Sequence, residues 1–217
     1  NLNLFNAGNC RVDSQTQMTC TTVAGKGKEL QWSIIVGGQS AGPLTSVLTR
    51  YAAPTILSVT SSSGVALATA GTSLGSDTVG VVGTNFGPTC SNGCVSATYG
   101  GASGTKYSVS CNVVTANTNL ECNTAAGVGA NLKWIVTVEA LVSGTKTTSV
   151  SYAAPTLTGI SSSNSPTAGG TEMTLTGTNF GPPKSSAQSE ASATYGPSGN
   201  LNLFNAGNCR VDSQTQM

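Results

Sequence analysis

Apolar and polar positions along the chain fall into short runs, interrupted by glycine, serine or asparagine. Residues 78–82 (Thr-Val-Gly-Val-Val) and 173–176 (Met-Thr-Leu-Thr) have strand composition and stop at a glycine. The most apolar runs are 32–36 (Trp-Ser-Ile-Ile-Val) and 134–138 (Trp-Ile-Val-Thr-Val), which read as central strands. Residues 48–51 and 150–152 alternate again, each run ending at a tyrosine. Ser-rich and Gly-rich stretches at 61–64, 100–104 and 161–165 separate these runs at the spacing of a β-sandwich. No stretch sustains the apolar period of a helix, so the pattern predicts an all-β chain with almost no helix.

A repeat organises these runs. Residues 200–217, NLNLFNAGNCRVDSQTQM, reproduce residues 1–18 without a change, an offset of 199 (200 − 1). This predicts a window onto a longer array of that period. A weaker repeat lies inside it. Tyr51-Ala-Ala-Pro54-Thr55 returns as Tyr152-Ala-Ala-Pro155-Thr156, and Gly83-Thr-Asn-Phe-Gly-Pro88 as Gly177-Thr-Asn-Phe-Gly-Pro182. Ala97-Thr-Tyr-Gly100 returns as Ala193-Thr-Tyr-Gly196. Continued from residue 1, the second copy aligns Cys10 and Cys20 with Cys111 and Cys122, and Trp32 with Trp134. The expected organisation is one complete module at 54–154, flanked by the front of a second at 155–217 and its back at 1–53.

These motifs resemble the IPT/TIG domains, immunoglobulin-like modules of plexin-type receptors, some transcription factors and many extracellular proteins. The matching pattern is Pro-Thr-apolar at the module start, Gly-Thr-Asn-Phe-Gly, a cysteine pair, an apolar strand, and an aromatic before Ala-Ala-Pro. The resemblance implies tandem immunoglobulin-like β-sandwiches. Each tryptophan follows both cysteines of its module instead of lying between them, which favours this family over antibody-type domains.

The chain has seven cysteines. The period removes the odd one, because Cys209 is the copy of Cys10 and its partner is then the Cys20 of a neighbouring copy. Equivalent positions favour Cys10–Cys20 and Cys111–Cys122 as disulfides, leaving Cys90–Cys94, although six cysteines allow many connectivities. A metal site at Cys90 and Cys94 lacks a second cysteine pair or any histidine to complete it.

Composition narrows the chemistry. Charged residues are only 8%, the net charge is +1 and histidine is absent. Nucleic acid and acidic membranes are poor partners for such a surface. No run approaches the roughly 18 apolar residues needed to span a bilayer, so no membrane insertion is expected. Serine and threonine nucleophiles have no histidine base, and the acidic residues show no paired arrangement. The expectation is a protein that is not an enzyme and takes no cofactor. Gly-Thr-Asn-Phe-Gly lacks the Gly-Lys-Ser/Thr ending of a phosphate loop and reads as a turn with Phe86 or Phe180 in the core. Trp32 and Trp134 read as core residues in preference to a carbohydrate-stacking face, because both modules carry them in apolar strands.

No Asn-x-Ser/Thr sequon exists; Asn164-Ser-Pro166 fails at its third position. Candidate O-glycosylation sites are Ser61, Ser62, Ser63, Ser161, Ser162, Ser163, Ser165 and Thr167. Modules joined through Tyr-Ala-Ala-Pro with no linker predict a semi-rigid rod, each module adding roughly 40 Å. The expected function is a structural repeating unit of an extracellular filament, whose partner is itself, head to tail, with O-linked glycans besides. The alternative is a cell-surface adhesin or receptor stalk with a binding domain elsewhere. An enzyme-associated carbohydrate-binding module comes third.

Overall fold

The structure, a computed structural model, describes residues 5–61, 77–162, 164–183, 191–213 and 215–217. Among the described residues every regular element is a strand. The N-terminal segment holds two antiparallel hairpins. One is β1 (Gly8–Ser14) with β2 (Gln17–Thr21), the other β3 (Leu30–Val36) with β4 (Gln39–Thr49). The β3–β4 turn rests on Gly37 and Gly38, both with positive φ, as a two-residue hairpin loop requires.

The central region carries β5 (Thr55–Ser61), β6 (Thr78–Thr84), β7 (Cys90–Gly100), β8 (Tyr107–Thr115), β9 (Asn119–Asn123), β10 (Lys133–Val138), β11 (Leu141–Val142) and β12 (Lys146–Thr147). They join in the order β11-β10-β7-β8-β9-β6-β5, with β12 also on β10. This is the order of the two layers of a constant-type immunoglobulin sandwich, made continuous through the β7–β8 hairpin. Burial alternates along β6, β9 and β10, so each turns one face inward. Val79, Val81, Phe86, Tyr99, Leu120, Leu132, Trp134 and Val136 form the fully buried core.

The C-terminal segment holds β13 (Thr156–Ile160) paired with β14 (Leu175–Thr178), and β15 (Ala193–Tyr195) paired with β16 (Phe204–Ala206). Its pairing repeats that of the central region closely. Thr156 faces Thr178 as Thr55 faces Thr84, and both ladders shift register after the second pair. Leu175 exchanges both backbone hydrogen bonds with Met217, and Gly177 N–H donates to Thr215 O. Val81 pairs with Leu120, and Gly83 N–H donates to Thr118 O, in the same arrangement.

Four expectations about elements differ from the structure. Residues 32–36, expected as a central strand, pair with β4 alone among the described residues. β6 and β14 each run one residue past the glycine expected to stop them, because the ladder with β5 or β13 continues to Thr84 or Thr178. Residues 150–152 do not form a strand. Their backbone bonds go to the 129–132 loop instead, with Leu132 N–H donating to Val150 O and Tyr152 N–H to Gly129 O. The strand expected from 173 begins at Leu175, two residues late. The serine-rich stretch expected at 61–64 lies outside the described residues beyond Ser61.

Candidate assembly interface

The chain passes from β4 into β5 through Tyr51-Ala-Ala-Pro54, and the Gly-Thr-Asn-Phe-Gly motif fastens that passage. Asn85, at φ 63°, donates its side-chain amide to Ala53 O at 3.0 Å. Asn179, at φ 59°, does the same to Ala154 O at 3.1 Å. Asparagine tolerates this left-handed backbone better than most residues. The first glycine of each motif is there for space. A Cβ on Gly83 would strike Thr55 O and the Phe86 ring, and one on Gly177 would strike Thr156 O and the Phe180 ring. A Cβ on the last glycine would press on the preceding loop, at Lys26 for Gly87 and at Val128 for Gly181. Lys26 and Val128 hold matching places, six residues after Cys20 and Cys122 (26 − 20 and 128 − 122). Lys26 also reaches across the first passage to the Glu139 carboxylate at 3.1 Å and to Cys94 O at 3.4 Å. A groove of about 320 Å³ remains there, lined by Lys26, Tyr51, Asn85, Asn117 and Leu141 among others.

The second feature is an aromatic cluster. Tyr99 stacks on Trp134 with ring centroids 4.4 Å apart and lies 5.1 Å from Tyr107, which meets the edge of Tyr152 at 5.7 Å. The Tyr99 and Tyr152 hydroxyls share a hydrogen bond of 2.9 Å, and Tyr152 Oη donates to Ala125 O at 2.6 Å. Burial raises both phenols above the ordinary tyrosine value, so both are neutral. Trp134 Nε1 is buried with no acceptor among the described residues.

The flanking segments hold the same cluster in two separate halves. Tyr195 and Phe204 lie 5.2 Å apart in the C-terminal segment, tilted as Tyr99 and Tyr107 are. Phe5 and Tyr51 meet edge-on at 5.7 Å in the N-terminal segment, as Tyr107 and Tyr152 do. Tyr51 Oη donates to Val23 O, and Trp32 Nε1 donates to Thr49 Oγ1 at 2.9 Å. The position of Thr49, two before the tyrosine, is Val150 in the central region, which leaves Trp134 Nε1 without that acceptor. Sequence reasoning placed Trp134, Phe86, Trp32 and Phe180 in cores. Trp134 and Phe86 are fully buried, whereas Trp32 and Phe180 are half-buried. It missed the tyrosines and the asparagine latch, although their recurrence within the repeated motifs was visible.

Cys10–Cys20 bridges β1 and β2, and Cys111–Cys122 bridges β8 and β9, with Cα atoms 4.1 and 4.2 Å apart. Cys90 and Cys94 are bonded within β7, and Cys209 is a free, partly exposed thiol. Its sulfur approaches Ala206 O at 3.7 Å, as the Cys10 sulfur approaches Ala7 O at 3.8 Å. Arg210 pairs with Asp212, and Arg11 with Asp13, both at 2.7 Å. Hydrogen bonds from Thr19 and Arg11 hold Asp13 below the usual carboxylate range, while Asp212 raises Arg210. Among the described residues no group of histidine, cysteine, aspartate or glutamate is placed to hold a metal.

Of the candidate glycosylation sites, Ser161, Ser165 and Thr167 are exposed, and Ser61 and Ser162 half-buried. Ser161 Oγ accepts from Thr174 N–H, and Ser162 Oγ is bonded to the backbone of Asn164. Ser62, Ser63 and Ser163 lie outside the described residues.

Strand order and core define an all-β protein of immunoglobulin-like class. The family model of the IPT/TIG domain matches residues 155–215, from the segment that opens with β13 to the edge at Thr215. No curated protein and no solved structure matches the chain. Disulfides and a TIG domain fit an extracellular or surface protein. Among the described residues no helix is long and apolar enough to cross a membrane.

Proposed function

We propose that this chain is the structural repeating unit of an extracellular filament made of tandem TIG-like modules, with no catalytic role. The observation that carries this reading is the equivalence of the two passages. The asparagine latches onto Ala53 and Ala154, the glycine contacts with Lys26 and Val128, and the Tyr-Ala-Ala-Pro sequence recur together. A chain whose successive joints have one geometry propagates as a regular rod. Low net charge favours lateral and axial packing, since rods of this kind repel one another little. The exposed hydroxyls of Ser161, Ser165 and Thr167 are proposed as attachment points for O-linked glycans. In this reading the array continues covalently, and Cys209 is bonded to the Cys20 of the next copy.

Electron microscopy of the native material tests the filament: an axial repeat of roughly 70–80 Å is expected for two modules. Denaturing, reducing electrophoresis tests the covalent array, which predicts very large species. A single band at the 21.6 kDa of this chain overturns the covalent array. The exposed strand edges also suit the stalk of a surface adhesin. A different terminal domain in the sequence beyond residue 217 would favour that second reading.

A further inference from the structure

The two flanking segments overlap by the duplicated 18 residues and together supply one sandwich, residues 200–217 of one copy standing in the place that residues 1–18 hold in the next. The central region says how they join. The C-terminal segment carries counterparts of β5, β6, β7 and β8, and only the beginning of a counterpart of β9. Its Ser213–Gln216 bridge matches the pairing of Thr115 with Asn119, and its Thr176–Gln216 bridge matches that of Val82 with Asn119. Met217 holds the last described place of that counterpart, against Leu175. The N-terminal segment carries β1 and β2, in the register of β8 and β9, followed by the β3–β4 hairpin in the place of β10 and β11. The part of the sandwich absent from the first segment is therefore residues 19–53, the part of the N-terminal segment that lies beyond the duplicated stretch.

Each half presents an open edge where the other would fit. In the central region β7 pairs with β8 on one side and β10 on the other. Among the described residues its counterpart β15 pairs with β16 alone, and β3 with β4 alone. Apolar side chains on these strands stay exposed in consequence. Tyr195 is 59% exposed where Tyr99 is 0%, and Ile34 is 43% exposed where Val136 is 0%. An unpaired edge bordering an exposed apolar face is an unstable way to end a sheet.

We infer that β15 pairs with the β3 of a further copy of this chain, in the register of β7 with β10. The contact joins the two halves of the aromatic cluster. The inference rests on the filament reading and deepens it by naming the strands. Trp134 faces Tyr99, Ile135 faces Thr98 and Val136 faces Ala97. The corresponding pairs are Trp32 with Tyr195, Ser33 with Thr194, and Ile34 with Ala193. Trp32 stacks on Tyr195, and the Tyr51 hydroxyl meets that of Tyr195 as Tyr152 meets Tyr99. The occupant is a second copy because its residues 19–53 supply the missing tryptophan, tyrosine and strand edge in one register, as Trp134, Tyr152 and β10 do in the central region.

Two experiments test the contact. In the first, full-length chains carrying Ser33→Cys and Thr194→Cys, each with Cys209→Ser, are mixed and mildly oxidised. Both positions are on the outer face, so neither change removes a core side chain. A mixed disulfide about tenfold above a Ser33→Cys with Ser149→Cys control is expected, since paired strands hold the thiols at high effective concentration. In the second, the full chain is extended by running residue 217 directly into another copy of 19–217. Peptide mapping is expected to find Cys209 bonded to the second Cys20. Acrylamide is expected to quench one of the four tryptophans, the first Trp32, and not two. The inference is overturned if the mixed disulfide stays at the control level and the fusion leaves Cys209 free with two quenchable tryptophans. A fusion that precipitates where the parent stays soluble also counts against it. Filaments in native material together with these negatives would leave the filament reading standing and this register overturned. Positive results with no native filament would do the reverse.

Discussion

The central region and the flanking segments use nearly the same residues with opposite outcomes. Tyr99, Trp134, Phe86 and Val136 are fully buried, while their counterparts Tyr195, Trp32, Phe180 and Ile34 are half-buried or exposed. Local geometry is not the cause. The hairpins, the register shift after Leu157, the latching asparagines and the cross-strand cysteines are alike in both. The difference is that, among the described residues, only the central region has every strand of the sandwich in place. Hairpin formation and side-chain burial are thus separable here: turn chemistry sets the first, and strand complement sets the second.

Replacement of the two tryptophans breaks this comparison most severely. Trp134→Ala removes the centre of a closed cluster and is expected to cost about 3–5 kcal/mol in urea unfolding. Trp32→Ala in the isolated chain removes a half-buried ring and is expected to cost far less. Equal costs at the two sites would show that the flanks already hold a closed core.

The cysteine pairs come next. Cys111→Ser with Cys122→Ser opens a bridge of sequence separation 11. Its removal is expected to lower central-region stability by roughly 2–3 kcal/mol on the chain-entropy account. Cys10→Ser with Cys20→Ser should open the β1–β2 hairpin while leaving the main unfolding transition in place. Hydrogen exchange of the β1 amides separates the two effects.

Alkali gives a smaller and differently signed probe. Tyr99 and Tyr152 have raised values in the fold because burial disfavours the phenolate. Their folded forms hold protons that the unfolded chain releases near the ordinary value of about 10. Stability from this pair is complete below that pH and falls as pH rises beyond it. Tyr99→Phe with Tyr152→Phe is expected to flatten the alkaline limb of a thermal-unfolding profile. An unchanged slope would show that the hydroxyls do not report on the closed cluster.

The smallest change restores to the central region what one flank has. Val150→Thr places a hydroxyl where Thr49 accepts from Trp32, within reach of the unpartnered Trp134 Nε1. A gain of about 1 kcal/mol is expected if the bond forms. A loss would mean that the hydroxyl was buried without its partner.

Much of this arrangement was legible in the chain itself. Alternating runs and the absence of a helical period pointed to an all-β fold, and the equivalent places of the cysteines in the two modules favoured both cross-strand bridges. The recurring Gly-Thr-Asn-Phe-Gly marked a turn, since left-handed backbone and close approach demand glycine and asparagine locally. These are matters of nearest neighbours, which sequence encodes position by position. The role of Asn85 and Asn179 as latches was not legible, because it depends on carbonyls 32 and 25 residues away. Nor did the pattern show that residues 150–152 would bond to a loop instead of a ladder. Above all, equal motifs at 99 and 195 did not reveal which tyrosine would be buried. Only the tertiary structure decided that, because burial depends on which strands are present to close a face.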